Sequence, residues 1–403
     1  MENIPSGVNS SISIGLILAD EYQPIEQRSG MNGTEMPRAP LTTTIENDIT
    51  MAPATSHHLY PPFPDGVVTA PLVSISLVEL EADNVAASEA LFKASKELGF
   101  FYLKMDGSSL GEKMVLLAEE LHALQKKFDD LPFAEKDQFA REKLHPFFGY
   151  RHSEIGPIRE DGTRDRNELY NMRKDDIVGN CEPLPCPDLI KQHWELLREY
   201  VYSCRAVIDL LIVHLERHLQ VPSGTIATLH RITERSGDHI RFNKSGIQPY
   251  SEDAARRSEH TDFGTLTILF NWLAGLQIRL PDTEDWVYVR PIPGSAVVNL
   301  GDALVKFTAG LLRSNIHRVV PPLPPQDGLS RHSLVYFSRP EDSVVLKRLK
   351  GGLIDRQPVS ETNDPEISAE EWIVRRSVGD LQGVYTHKGG LEPRTLVVAE
   401  GSI

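Results

Sequence analysis

Cysteine is scarce in this chain: Cys181, Cys186 and Cys204 are the only three among 403 residues. So odd and sparse a count supplies neither a disulfide framework nor a thiolate zinc site. It fits free thiols in a reducing compartment. Positive charge is also short, with 42 Lys and Arg against 57 Asp and Glu, a formal charge of −15. A chain this acidic is repelled by phosphate backbones and anionic membranes, so neither is expected as a partner. Long apolar runs are missing too, and no stretch approaches the roughly 18 residues of a membrane-spanning helix. The one apolar run near the start, Ile12 to Ala19, is preceded only by the charge of Glu2. A secretory signal would want basic residues there. The closing Glu400-Gly401-Ser402-Ile403 is no peroxisomal or prenylation address. The cytoplasm is the expected compartment, and no obligate protein partner is evident.

What is present has an ordinary globular balance, 40% hydrophobic and 25% charged, enough to build a sizeable core. Residues 1–58 are rich in Ser, Thr, Asn, Pro and Gly without sustained period, and read as a disordered extension. Pro61-Pro62-Phe63-Pro64-Asp65-Gly66 reads as a loop, and order is expected from about Pro71. Residues 59–185 then form an α/β region. Val73, Ile75 and Leu77 alternate as in a strand, Ala86 to Leu98 is helical and ends at Gly99, and Phe100 to Leu103 is a second strand. Glu112 to Phe128 follows as another helix. Over 186–221, Ile190, Trp194, Leu197, Val201, Cys204, Ile208, Leu211 and Leu215 recur at steps of four and three, one apolar stripe of a long backbone helix. From 222 to 345 the texture changes to short strand-like runs separated by turns, which predicts a barrel or double-sheet jelly roll. These include His239 to Phe242, Thr265 to Trp272, His317 to Val320 and Arg331 to Phe337. A C-terminal helix from about Ser368 and a polar tail complete 346–403. The fold class is α+β with a mainly β core.

With 14 His and 57 acidic residues, a His-x-Asp/Glu pair arises about twice by chance, and four occur. Geometry separates them, because residues i and i+2 share a face on a strand but diverge by about 200° on a helix. His193/Glu195 and His214/Glu216 fall on the long helix and read as solvated-face residues. His152/Glu154 falls in a loop after Phe147-Phe148-Gly149-Tyr150. His260-Thr261-Asp262 stands at the entrance of the strand Thr265 to Phe270, so both side chains project to one side, with Leu266 and Ile268 expected to continue that face. His317, in a second strand-like run, is the best third ligand. Two histidines and a carboxylate leave open positions that suit redox-active iron(II), whereas structural zinc closes its shell with four protein ligands. Taken alone, His317 would read as a buried histidine at a strand end. Arg331-His332-Ser333 supplies its context. Arg331 and Ser333 share a face with apolar Val335 and Phe337, and a buried guanidinium there needs an anion, which its fork binds bidentately. An internal Arg–Asp pair is the bland alternative.

His260-x-Asp262, His317 and Arg331-x-Ser333 together resemble the signature of iron(II)/2-oxoglutarate dioxygenases of the isopenicillin N synthase-like group. Gly275-Leu276-Gln277, Asn299-Leu300-Gly301-Asp302 and His317-Arg318-Val319 are further matches, and the likeness covers roughly residues 70–340. The resemblance implies a double-stranded β-helix holding Fe(II) on His260, Asp262 and His317. It also implies 2-oxoglutarate held through its distal carboxylate by Arg331 and Ser333, with Asn243 near the co-substrate. An unactivated C–H bond of a small organic substrate would be oxidised by dioxygen, by hydroxylation, desaturation or ring formation, with succinate and carbon dioxide released. Phe147, Arg151, Tyr170 and Phe337 are candidates for the substrate lining. Two departures stand out. Members often carry Asn-Tyr-Tyr-Pro where this chain has Asn243-Lys244-Ser245-Gly246, and His-Gly where it has Asp106-Gly107. Two alternatives stay open at this point: an oxidase that needs no 2-oxoglutarate and turns Arg-x-Ser on the substrate's own carboxylate, and a non-catalytic relative that binds a small molecule.

Overall fold

The computed structural model describes residues 55–152, 167–248, 250, 255, 259–358 and 366–381. Most of the 1–58 extension, Glu154 and the polar C-terminal tail lie outside the described residues. Eleven strands are found among those described: β1 (Ser74–Ser76), β2 (Phe100–Lys104), β3 (Gly149–Arg151), β4 (Asn167–Arg173), β5 (His239–Ser245), β6 (Leu266–Asn271), β7 (Leu276–Arg279), β8 (Trp286–Tyr288), β9 (Ser295–Leu300), β10 (His317–Val319) and β11 (Arg331–Ser338). They form an eight-stranded sheet in the order β1-β2-β9-β6-β11-β5-β4-β3 and a three-stranded sheet, β10-β7-β8. This is the jelly-roll α+β architecture that the turn-punctuated runs predict.

Strand alternation sorts the large sheet's side chains onto two faces. Leu334, Tyr336, Phe242, Tyr170, Ile268, Val298 and Phe101 point outward and join one buried cluster with the helices Ser109–Asp129 and Trp194–Leu219. Val335, Phe337, Leu269, Val297, Phe100 and Tyr102 point inward and meet Leu276, Ile278, Val287 and Val289. The inner face therefore offers the space between two sheets, and the outer face is ordinary core.

The stripe on the long helix is observed: Leu197, Val201, Cys204, Ile208 and Leu211 have no exposed surface. The helix is shorter than the 186–221 expected, because Asp188–Lys191 forms a separate turn and His193 caps the helix proper, Trp194–Leu219. The expected solvation of His214 and Glu216 is overturned. His214 is buried against the Ser88 hydroxyl and the Leu80 carbonyl. Glu216, also buried, accepts backbone N–H groups from Gly224, Ile226 and Ala227, so its charge closes the turn after the helix.

Three boundaries also move. Leu77 does not extend β1 but opens the helix Leu77–Glu81, where it and Leu80 bury together at helical spacing. Regular structure is already present before Pro71, and before residue 59, in a 3-10 turn over Ser56–Leu59. The run before His152, expected to be a loop, is strand β3, and it pairs with β4 at the edge of the large sheet. Gly99 behaves as expected of a helix stop: its φ is +67°, and a Cβ there would lie 2.1 Å from the Arg313 carbonyl oxygen.

Candidate metal centre

Two backbones meet where the sheets meet. His260 and His317 form an antiparallel bridge, with N–H to carbonyl distances of 3.0 and 2.9 Å. Residues directly opposite in such a pair put their side chains on the same side, and the two rings stand 4.2 Å apart. Asp262, two residues on, reaches the same point. Its Oδ1 lies 3.9 Å from His260 Nε2 and 3.8 Å from His317 Nε2. Ligand atoms of all three residues lie within 4.8 Å of one another.

Each donor is oriented from behind. Asp262 Oδ2 accepts the Thr267 hydroxyl at 2.6 Å and the Asn299 amide at 2.7 Å, which leaves Oδ1 facing the histidines. His317 Nδ1 lies 3.2 Å from the Asn315 carbonyl, so Nε2 is the nitrogen turned inward. Asp262 is buried, which alone would raise its pKa. His317, His260 and the bonds from Asn299 and Thr267 outweigh that and hold the carboxyl below its usual value. Bonds of about 2.0–2.2 Å to one cation would set neighbouring donors roughly 3 Å apart, so the two histidine–aspartate pairs, at 3.9 and 3.8 Å, need to close by less than about 1 Å. Two imidazole nitrogens and one monodentate carboxylate are the donor set of a facial iron(II) site, and the residues present fit it. The face is continued by Thr267 and Leu269. Leu266 and Ile268, expected there, pack on the helices instead.

Arg331 and Ser333 lie on the inner face of β11, both 2% exposed. Arg331 Nε donates to the Ala274 carbonyl at 3.1 Å, and Nη1 lies 3.4 Å from Ser333 Oγ. Burial alone pushes the guanidinium down to about 10, and no charged group among the described residues contributes. An internal Arg–Asp pair is thus not what holds it. Gly275, at φ +124°, makes room for its stem: a Cβ there would lie 3.1 Å from Arg331 Cδ. Asn243 pairs directly with Ser333 across β5 and β11, so it shares the inner face. Lys244, in place of the family's tyrosine, points outward to Glu168 at 4.0 Å.

The four lining candidates divide. Phe337 faces inward, stacked on His239 at 4.7 Å, and Phe147 meets the same ring edge-on at 5.0 Å. Arg151 pairs with Leu169, which pairs with Asn243, so it shares the inner face. Tyr170 does not. It stands on the outer face, 3% exposed and stacked 4.7 Å from Phe128, because its register partner Phe242 also points to the helices. Thr267, Asn299, Arg241 and Arg339 join the site without having been expected there. Asn299 could have been found through its place in Asn299-Leu300-Gly301-Asp302. The other three carry no local signal.

Comparison with known proteins agrees with this geometry. Residues 211–340 match the 2OG-Fe(II) oxygenase superfamily, and residues 70–188 match the N-terminal region described as non-haem dioxygenase in morphine synthesis. A 2-oxoglutarate-dependent dioxygenase of Aspergillus fumigatus is 30% identical over 333 residues, covering 77% of this chain and 86% of that one. Another, of Glarea lozoyensis, is 28% identical over 70% of this chain and 84% of its own length. Among solved structures, a 2OG-Fe(II) oxygenase family protein from Caulobacter crescentus shares the fold with TM-score 0.63 at 20% identity, covering 79% of this chain and all of that one. A Neurospora crassa protein solved with alpha-KG and thymine does so with TM-score 0.61 at 20% identity, over 78% and 98%. The chain belongs to the 2OG-Fe(II) oxygenase superfamily and is a 2-oxoglutarate-dependent dioxygenase, an oxidoreductase that uses Fe(II) and 2-oxoglutarate.

Proposed function

We propose that the enzyme oxidises an unactivated C–H bond of a small organic substrate of specialised metabolism, by hydroxylation, desaturation or ring formation. In this reading His260, Asp262 and His317 hold the iron, Arg331 and Ser333 hold the distal carboxylate of 2-oxoglutarate, and Asn243 lies beside it. The observation that carries the reading is the convergence of the three ligand atoms within 4.8 Å. The fungal relatives named as 2-oxoglutarate-dependent dioxygenases support the reaction class, and the cytoplasm is the proposed compartment.

When bound, iron(II) and 2-oxoglutarate would activate dioxygen, the oxidant, with 2-oxoglutarate oxidised to succinate and carbon dioxide. The protein's share is placement. Thr267 and Asn299 fix Oδ2 of Asp262 so that a single oxygen faces the ion. Arg331, in an apolar wall, would hold the co-substrate's carboxylate with its fork and so orient it. Val335, Phe337 and Leu269 keep the space dry, which favours reaction with the substrate over reaction with water.

The test is metal binding together with co-substrate use. Protein prepared without oxygen should bind about one iron(II) per chain, by the single-triad logic. His260→Ala, Asp262→Ala and His317→Ala should each lose it. Adding 2-oxoglutarate to the iron(II) protein should give a weak visible charge-transfer band. Full iron binding in any of these three variants would mean that the ligands are other residues.

A further inference from the structure

Arg331 is not the sole guanidinium on the inner wall. Arg241 lies on β5 two residues before Asn243, directly opposite Val335 of β11, and so shares the face of the co-substrate residues. Its Nε donates to Asn171 Oδ1 at 2.7 Å, and its plane lies over the Phe337 ring, 4.8 Å from the centroid. The outer edge of the fork, Nη1 and Nη2, makes no hydrogen bond among the described residues. Arg339, at the end of the same inner row of β11, stands 4.6 Å over Phe147 and 5.8 Å from Phe337. It is 4% exposed, and its Nε is buried without a partner.

These cations are poorly compensated. Burial pushes Arg241 down to about 9, Arg339 and Arg151 add repulsion, and Asp262 is the chief opposing charge. Asp262 is committed to the metal ligand set, so it cannot also neutralise Arg241. Arg339 has Asp238 behind it, which accepts its backbone N–H. Among the described residues, no acid hydrogen-bonds to Arg241. A protein with a formal charge of −15 thus keeps a cationic inner wall next to its reaction centre. Arg241 is half-buried, and even partial withdrawal of a guanidinium from water without an anion is unfavourable. A fork stacked on an aromatic ring with its outer edge unbonded among the described residues has the geometry that receives a carboxylate in two bonds.

We propose that Arg241, backed by Arg339, is the specificity-determining seat for a carboxylate on the prime substrate, so that the enzyme acts on an organic acid. The substrate's apolar body lies against Phe337 and Phe147, and its acid group fixes which carbon faces the metal. This rests on the proposed metal and co-substrate site, since the acid is placed relative to it.

The experiment uses the full chain loaded with iron(II) and saturating 2-oxoglutarate under argon. Calorimetric titration compares 4-phenylbutanoate, decanoate and cinnamate, each with its own primary amide. At least one acid should bind about tenfold or more tighter than its amide, as expected for one desolvated ion pair. Arg241→Gln, which keeps a donor for Asn171, should remove that preference, and Arg241→Lys should retain part of it. In both variants the 2-oxoglutarate midpoint, read from the visible band, should stay within about threefold of wild type, because Arg331 is untouched. Equal binding of acids and amides, or no binding of either, by wild-type protein that shows the band overturns the proposal. So does a tenfold shift of the 2-oxoglutarate midpoint in Arg241→Gln, which would assign Arg241 to the co-substrate. Absence of the band in wild type would instead sink the reading of the metal site, and this inference with it.

Discussion

Asp262 divides its carboxylate, with one oxygen tied by Thr267 and Asn299 and the other facing two imidazoles. Groups that orient a ligand in this way typically change metal affinity by about 10–100-fold when removed. Thr267→Val, which keeps the shape and deletes the donor, should therefore weaken iron(II) binding by roughly tenfold, measured by competition with a chelator, while the melting temperature of metal-free protein moves little. Arg331 makes a complementary case. Arg331→Lys keeps the charge and loses the fork, so the 2-oxoglutarate midpoint should rise about tenfold or more with iron stoichiometry unchanged. An unchanged midpoint would place Arg331 elsewhere in the reaction. The triad and Arg331 were legible because each sits in a short motif whose parity on a strand can be counted. Tyr170 was not. Its face depends on the pairing of β4 with β5, which no local pattern announces, and a shift of one residue sends a strand side chain to the opposite face. The same parity separates Thr267, which serves Asp262, from Leu266 and Ile268, which serve the core.

The C-terminal helix, Ala369–Leu381, was expected from about Ser368, but its task was not. Arg376, 2% exposed, reaches from it to Asp302 at 2.9 Å and lies over Phe263 at 4.4 Å. Asp302 also accepts the Thr261 hydroxyl and donates its backbone N–H to the Asp262 carbonyl. One helix thus fastens the segment that carries two proposed metal ligands. Arg376→Ala would leave Asp302, largely buried, without its cation, a loss of about 3–5 kcal/mol by the behaviour of buried pairs. Denaturant unfolding should show that loss, and iron affinity should fall with it. A change under about 1 kcal/mol would mean that the clamp is incidental. Helical periodicity reports where a helix lies and which stripe is apolar. It does not report that a charged residue in the middle of the helix is threaded into a distant loop, because that depends on how the last segment docks.

Across the whole molecule, several histidines are folded in as neutral groups. Burial, with Lys126 and His332 nearby, pulls His122 down to about 2, and burial pulls His230 down to about 3. In the unfolded chain both titrate near 6.5. Above that pH neither state is charged, and the full stability is present. As pH falls below about 6.5 the unfolded chain takes up protons that the folded chain refuses, and each group removes up to about 1.4 kcal/mol of stability per pH unit. Melting curves from pH 8 to 5 should decline on the acid side. His122→Phe, which keeps a ring stacked on Trp272, should make that decline shallower by about one proton. An unaltered slope would mean that His122 is not held neutral. The same neighbourhood anchors the first described residues. The Tyr60 hydroxyl shares a 2.8 Å hydrogen bond with His122, His57 lies 3.1 Å from the Asn271 carbonyl, and the Ser56 hydroxyl donates to Glu119. A chain starting at residue 61 should melt a few degrees below one starting at residue 51, since each orphaned buried group costs about 1–3 kcal/mol.

The bridge between His260 and His317 has a mechanical side. Asp262 leads into the large sheet through β6, whereas His317 belongs to the small sheet through β10, and two backbone hydrogen bonds between His260 and His317 span them at this point. An ion seated there is a rivet through two plates. Its binding energy adds to the cohesion of the barrel mouth, by about 2.7 kcal/mol at a hundredfold excess over its dissociation constant. Depletion of iron would then loosen the seam between the sheets as well as stop the chemistry, and resistance to a protease would report metal occupancy without any substrate in hand.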